Sequence, residues 1–224
     1  MELPIGGVLS GQKLKIALMQ DAVVELIYDY VQPDAVLYGG TAIWRCYNGG
    51  RFSEDIDMYV SRSFESGFEA NAGRHGIKVV WRDKELPLHM RLSDGNTEML
   101  LEASLGDPES RISQYVRVDG SSIAISAMQP AELIVRKMEA YRGRRYMRDL
   151  YDIFHMTNYV DKADYYVLSK LRPFLEDIQK PVDAGTLASL IYRGRSRITF
   201  DEILEYLRGW SGEVCLSSMT VPPG

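Results

Sequence analysis

The chain has 224 residues, of which 46% are hydrophobic and 25% charged, with a formal net charge of −5. That length suits one large domain or two small ones, and the composition is that of an ordinary globular protein. The negative balance excludes a basic nucleic-acid coat protein, so a nucleic-acid partner must meet a local basic patch. Two cysteines, Cys46 and Cys215, stand far apart without a CxxC or Cys/His cluster, which argues against zinc and suits a reducing compartment. The N-terminus lacks the order of a signal peptide, and no apolar run approaches the roughly 18 residues needed to span a bilayer. A soluble cytoplasmic protein without a membrane partner is expected.

Residues 11–31 carry apolar side chains at helical spacing, among them Leu14, Leu18, Val23, Leu26, Ile27 and Tyr30, and Pro33-Asp34 ends that helix. Ala35–Tyr38 reads as a short strand stopping at the tight turn Gly39-Gly40. Thr41 is placed to cap a short helix, Ala42–Tyr47, which Asn48-Gly49-Gly50 closes. Asp55–Val60 alternates polar and apolar residues, and Phe64–His75 is read as a helix. Strands are predicted at Ile77–Arg82, Leu88–Leu92, Glu98–Leu105, Tyr115–Val118 and Ser122–Ser126. Pro130 then opens a helix to about Tyr141, followed by helices at Arg148–Tyr159, Lys162–Ile178, Ala184–Tyr192 and Phe200–Trp210. The expected architecture is α+β: a mixed sheet with flanking helices over 1–128, a helical half over 129–210 and a flexible tail over 211–224.

The informative stretch is residues 37–60, LYGGTAIWRCYNGGRFSEDIDMYV. Residues i and i+2 of a strand share a face, so Asp55 and Asp57 stand side by side with Ile56 and Met58 turned inward. Adjacent carboxylates repel unless a positive charge lies between them, and a hard divalent cation such as Mg²⁺ (or Mn²⁺) answers that need. Glycines between a strand and a helix let backbone N–H groups approach a phosphate. A phosphate cradle beside a carboxylate pair is what phosphoryl transfer from a nucleoside triphosphate requires. Two-metal sites want a third carboxylate on a neighbouring strand. Glu102, with apolar neighbours on both sides, is preferred over Glu98, which shares its parity.

A second patch, RKMEAYRGRRYMRDLYD over 136–152, gathers Arg136, Lys137, Arg142, Arg144, Arg145 and Arg148. A helical Lys137 suits triphosphate oxygens as a point charge, and the arginines suit phosphates of a nucleic acid. Of Asp149 and Asp152, one is expected to serve the site and the other to hold Arg148 or Arg145. Arg193, Arg195 and Arg197 form a further basic group that extends such a groove or ends a helix. His75, His89 and His155 fit no ligand spacing, and Cys46 has no general base in sequence reach.

GGTAI followed by RFSEDIDMY, a Lys-bearing helix and RDLYDIF resembles the AbiEii/AbiGii-toxin family of the DNA polymerase β-like nucleotidyltransferase superfamily, over about residues 35–155. The resemblance implies a catalytic set of Asp55, Asp57, Lys137 and Asp149, with Asp55 and Asp57 on the metal. It implies nucleotide binding by Gly39, Gly40 and Thr41, while Arg51 and Ser53 match the residues leading into the Asp pair. Gly40-Thr41 stands where the wider superfamily has Gly-Ser, so the hydroxyl is kept. Family members are commonly toxins of type IV toxin–antitoxin pairs, and some relatives add nucleotides to tRNA 3′ ends. A tRNA acceptor and a cognate antitoxin are the partners this implies. The rivals are a small-molecule nucleotidyltransferase of the antibiotic-modifying kind and a non-catalytic binding module on the same fold.

Overall fold

In the structure, a computed structural model that describes residues 4–61, 65–83, 87–194 and 198–212, the period-two segments assemble into one mixed sheet. The chain divides into two units, Met1–Gln129 with Leu190–Gly194, and Pro130–Ser189 with Arg195–Gly224.

The first unit runs α1 (Ile5–Val8), α2 (Gly11–Leu26) with a π turn at Ile27–Val31, β1 (Val36–Tyr38), α3 (Gly39–Cys46), β2 (Ile56–Val60) and α4 (Glu65–Arg74). It continues through β3 (Lys78–Arg82), β4 (Leu88–Ser93), β5 (Glu98–Leu105), β6 (Ser110–Val116) and β7 (Ser122–Met128). Among the described residues the sheet has seven strands in the order β3-β4-β5-β2-β1-β7-β6. The pairs β2–β5 and β1–β7 are parallel, while β1–β2, β3–β4, β4–β5 and β6–β7 are antiparallel.

Alternation decides which face is core. Ile56, Met58 and Val60 of β2, Leu88, Met90 and Leu92 of β4, and Met99, Leu101 and Ala103 of β5 are buried with Val23, Val24 and Leu26 of α2 and Phe68 of α4. The opposite face therefore receives Asp57, Glu102 and His89. The register lines them up: Tyr38 faces Asp57, Asp57 faces Glu102, and Glu102 faces His89. A one-residue slip of any of these strands would put its charged residues into the core.

Several elements differ from expectation for local reasons. The first long helix widens into the π turn where Tyr28 turns inward, its hydroxyl donating to Ser126 O (2.7 Å) and accepting from Leu37 N (3.2 Å). The helix after the Gly-Gly turn starts at Gly39 itself, so Thr41 is inside α3 rather than capping it. The strand expected at 115–118 begins earlier, at Ser110, because β6 is an edge strand paired along its length with β7.

The second unit holds α5 (Pro130–Arg144), α6 (Met147–Met156) with a 3-10 turn at Thr157–Tyr159, α7 (Tyr165–Glu176), α8 (Leu187–Leu190) and α9 (Phe200–Ser211). Asp164 caps α7 by accepting from Val167 N, Thr199 and Glu202 form a capping box on α9, and Gly212 ends α9 in the left-handed conformation. The helix expected at 184–192 is shorter, because Leu190–Gly194 folds with the first unit. There Phe52 N donates to Leu190 O and Tyr192 N to Gly50 O, both at 2.9 Å, and Arg51 bridges Ile191. Residues 195–197 and the expected tail from 213 onward lie outside the described residues.

α3 is anchored by a buried charge. Arg45, fully buried, donates to Asp21 Oδ1 (2.8 Å), Ala17 O (2.7 Å) and Val116 O (3.0 Å), while Tyr115 donates to Asp21 Oδ1 (3.0 Å). Burial pushes the Asp21 carboxyl up, opposed by the Arg45 charge. Breaking such a pair by removing one partner strands the other. Arg45→Met is expected to lower unfolding stability by roughly 3 kcal/mol, and Arg45→Met with Asp21→Asn to recover part of that, measured by urea denaturation. A loss below about 0.5 kcal/mol, the range of ordinary surface changes, would show that the pair does not anchor the helix.

Candidate active site

β1 passes into α3 without a linker: Tyr38 ends the strand and Gly39, at φ +73°, starts the helix. An L side chain resists that backbone, and here there is also no room for one. A Cβ on Gly39 would lie 2.0 Å from Asp57 Oδ2. A Cβ on Gly40 would lie 2.4 Å from Ser53 Oγ and 2.7 Å from Arg51 Nη2. The two glycines thus bring Gly39, Gly40, Arg51, Ser53 and Asp57 to one place.

The loop that delivers the aspartates is held from behind. Thr41, fully buried, donates its hydroxyl to the backbone carbonyl of Asp55. Gln20 of α2 donates Nε2 to Ser53 O (2.9 Å) and Glu54 O (3.0 Å) and lies 3.4 Å from Thr41 Oγ1. The Thr41 side chain, expected to touch a triphosphate, therefore faces the Ser53–Asp55 loop. Gln20 escaped the sequence reading because one amide in an apolar helix carries no motif; its place between Met19 and Val23 on the buried face was the available signal. Arg51 is also buried, its Nη1 donating to Phe52 O (2.9 Å).

Asp55 lies exposed at the bend just before β2, and Asp57 is half-buried on the face away from the core. Beside Asp57, Glu102 has both carboxylate oxygens engaged. Tyr38 donates its hydroxyl to Oε1 (3.0 Å), and His89 Nε2 lies 3.3 Å from Oε2. His89 Nδ1 in turn lies 3.2 Å from Asp83 Oδ2. Burial, with Asp57 and Glu102 nearby, pushes the Tyr38 hydroxyl far up, so it keeps its proton and can only donate to Glu102.

Among the described residues no group of three or more His, Cys, Asp or Glu side chains forms a metal cage, so the expected three-carboxylate set is not closed around one point. The donor chemistry still fits Mg²⁺, which takes one or two carboxylates and completes its shell with phosphate oxygens and water. The missing Cβ at Gly39 leaves the Asp57 carboxylate against the turn that would carry those phosphates. Cys46 is no nucleophile, since burial pushes its thiol up to about 12.

Lys137 and Asp149 belong to the helical unit. Lys137, largely buried on α5, pairs with Asp152 Oδ2 (2.7 Å) and lies 3.5 Å from Asp149 Oδ1. Asp149, fully buried on α6, takes two hydrogen bonds from Arg144, through Nε and Nη2, each 2.7 Å. Both aspartates therefore have cationic partners, Lys137 and Arg144, in place of the expected Arg145 or Arg148. Arg145 instead bonds Gln179 Oε1 (2.7 Å), and Arg142 and Arg148 lie against the rings of Phe174 and Tyr146.

A mixed sheet that carries Asp57 on β2, with Asp55 just before it, beside a helix that starts at Gly-Gly is an arrangement of the nucleotidyltransferase class of fold. The family described as nucleotidyl transferase AbiEii toxin, type IV TA system, matches residues 25–205, and the chain belongs to it. By that membership it is a nucleotidyltransferase. The fold is similar to that of JHP933 from Helicobacter pylori, with a TM-score of 0.61 and 20% identity over 91% of this chain and 92% of that one. It is also similar to MenT4, a nucleotidyltransferase toxin from Mycobacterium tuberculosis, with a TM-score of 0.56 and 14% identity over 92% of this chain and 85% of that one. No match is found among curated proteins.

Gly39→Ala is expected to displace Asp57 as well as strain the backbone, which alone costs about 1–2 kcal/mol. Nucleotidyl transfer should fall well beyond what the lost stability explains. Gly67→Ala, where a Cβ meets nothing within 4 Å, should leave transfer unchanged and melt no lower. Thermal melts and transfer assays on the two variants check this; a Gly39→Ala enzyme with native activity would remove the contact from the account.

Proposed function

We propose that the chain moves a nucleoside monophosphate from a nucleoside triphosphate to an acceptor hydroxyl in a metal-dependent reaction, with an RNA 3′ end, and tRNA in particular, as the acceptor. The observation that carries the reading is the mutual exclusion at the Gly-Gly turn, where Asp57, Ser53 and Arg51 stand in the space two side chains would fill. The backbone N–H groups at the N-terminus of α3 suit a phosphate, and the Asp57 carboxylate lies against that turn. Tyr38, at the N-cap of α3, makes no side-chain cap bond of its own.

Asp55 and Asp57, with Glu102 alongside, would hold a divalent cation, Mg²⁺ or Mn²⁺, which supplies charge neutralisation for the triphosphate. Gly39, Gly40 and the Thr41 backbone bind and orient the phosphates, while the Thr41 hydroxyl and Gln20 keep Asp55 in place. Arg51 and Ser53 pack against Gly40 and fix the turn. The acceptor oxygen forms its bond to the α-phosphorus, loses its proton to water, and the bond to pyrophosphate breaks. For Lys137 and Asp149 the family resemblance carries the assignment: Lys137 neutralises phosphate charge, and Asp149 with Asp152 sets the position of its ammonium group. An RNA acceptor is supported by the resemblance and by Arg142 and Arg148, whose guanidinium groups lie over the rings of Phe174 and Tyr146. The same reading makes the protein the toxin of a type IV pair, met by an antitoxin, working in the cytoplasm where nucleoside triphosphates and tRNA are found.

With each α-labelled nucleoside triphosphate, Mg²⁺ and pooled RNA, the native protein is expected to label RNA. Asp57→Ala should cost more than the roughly 10–100-fold that losing an outer partner of a metal ligand costs. Label on a small-molecule hydroxyl and none on RNA would replace the acceptor, and undiminished transfer by Asp57→Ala would overturn the site.

A further inference from the structure

The sheet face that carries Asp57 holds a second arrangement that no motif announces. In strand order β4-β5-β2-β1, the side chains on that face run His89, Glu102, Asp57, Tyr38. Glu102 is gripped from both ends of this row. His89 comes from the β4 side and meets Oε2 at 3.3 Å; Tyr38 reaches from the β1 side and donates to Oε1 at 3.0 Å. A carboxylate oxygen accepts more than one hydrogen bond, so neither contact saturates the group. Together they set the plane of the carboxylate along the row.

His89 is itself held. Its Nδ1 lies 3.2 Å from Asp83 Oδ2, and Asp83 N donates to His89 O at 2.9 Å. Asp83 thus fixes the imidazole ring from outside and leaves Nε2 directed at Glu102. A carboxylate that orients an imidazole, which orients a second group, is the outer layer commonly built around a metal ligand.

We propose that His89, braced by Asp83, is a positioning residue that holds the Glu102 carboxylate toward Asp57 for a divalent cation. The inference rests on the proposed role of Glu102 beside the Asp pair. His89 touches neither nucleotide nor acceptor; it acts through Glu102.

The test is Mn²⁺ binding to the full chain with an unreactive nucleotide analogue, read from the electron paramagnetic resonance signal of free Mn²⁺. Glu102→Gln and His89→Ala should each weaken Mn²⁺ binding by about 10-fold or more. His89→Gln, whose amide can still donate to Glu102, should recover most of the loss. His89→Ala combined with Glu102→Gln should bind no more weakly than Glu102→Gln alone, the non-additivity expected of residues acting through one contact. Asp83→Ala should show a smaller loss with the same non-additivity, and it carries the test if His89→Ala does not fold by thermal melt. Native Mn²⁺ affinity in His89→Ala beside a weakened Glu102→Gln would overturn the positioning role while leaving Glu102 at the metal. Additive losses would also overturn it. Native affinity in Glu102→Gln would instead remove Glu102 from the metal, and the inference with it.

Discussion

The first unit is organised around a missing atom. With no Cβ at position 39, the Asp57 carboxylate can rest against the first residue of α3, and the chain can turn from strand to helix at φ +73° in a single step. Any side chain at 39 would have to displace the carboxylate that β2 delivers. The same exclusion is repeated one residue on, where Ser53 and Arg51 take the space beside Gly40. Two adjacent glycines in a helix cost conformational entropy and helix propensity; here that cost accompanies the close approach of Asp57, Ser53 and Arg51.

The rest of the unit keeps that approach reproducible. Behind the turn, Gln20 and Thr41 tie the Ser53–Asp55 loop to α2 and α3 through backbone carbonyls, so Asp55 does not depend on a free loop for its place. At the far end of α3, the Arg45–Asp21–Tyr115 network pins the helix to α2 and β6. The sheet supplies the register: Asp57, Glu102 and His89 meet because β2 and β5 are parallel and β4 and β5 antiparallel, with apolar alternation fixing the face of each. Local dipoles, loop anchors and strand pairing therefore converge on one small region, and each is satisfied by a different part of the chain.

The elements with strong period were legible from residues alone. Glu98–Leu105 was located to the residue, and Ile56 and Met58 were placed inward by parity, because burial on one face leaves an alternating trace. The tight turn at Gly39-Gly40 and the strand that carries Asp57 were also legible, because glycine pairs and apolar alternation leave a local trace, whereas Asp55 lies at the bend before β2 and not on the strand. What escaped depended on partners distant in sequence. Thr41 read as a cap because its true acceptor, the Asp55 carbonyl, lies 14 residues on. Gln20 carried only its place on the buried face of α2, and His89 no motif, because each is defined by a neighbour on another element. Ile191 and Tyr192 read as helix because nothing local shows that Ile191 bridges Arg51 and that Tyr192 N donates to Gly50 O. Asp149 is tied to the site by resemblance, while its bidentate partner Arg144 reads in sequence as one of a run of arginines suited to nucleic-acid phosphates.

If the Gly-Gly turn and the Asp pair form one site, metal and nucleotide bind there together. Calorimetric titration of an unreactive nucleoside triphosphate analogue, with and without Mg²⁺, into the native protein and Asp57→Asn tests it most directly. Mg²⁺ is expected to tighten binding to the native protein, and Asp57→Asn to remove this enhancement while weak metal-free binding remains. Affinity that is the same with and without Mg²⁺, and the same in both proteins, would contradict it.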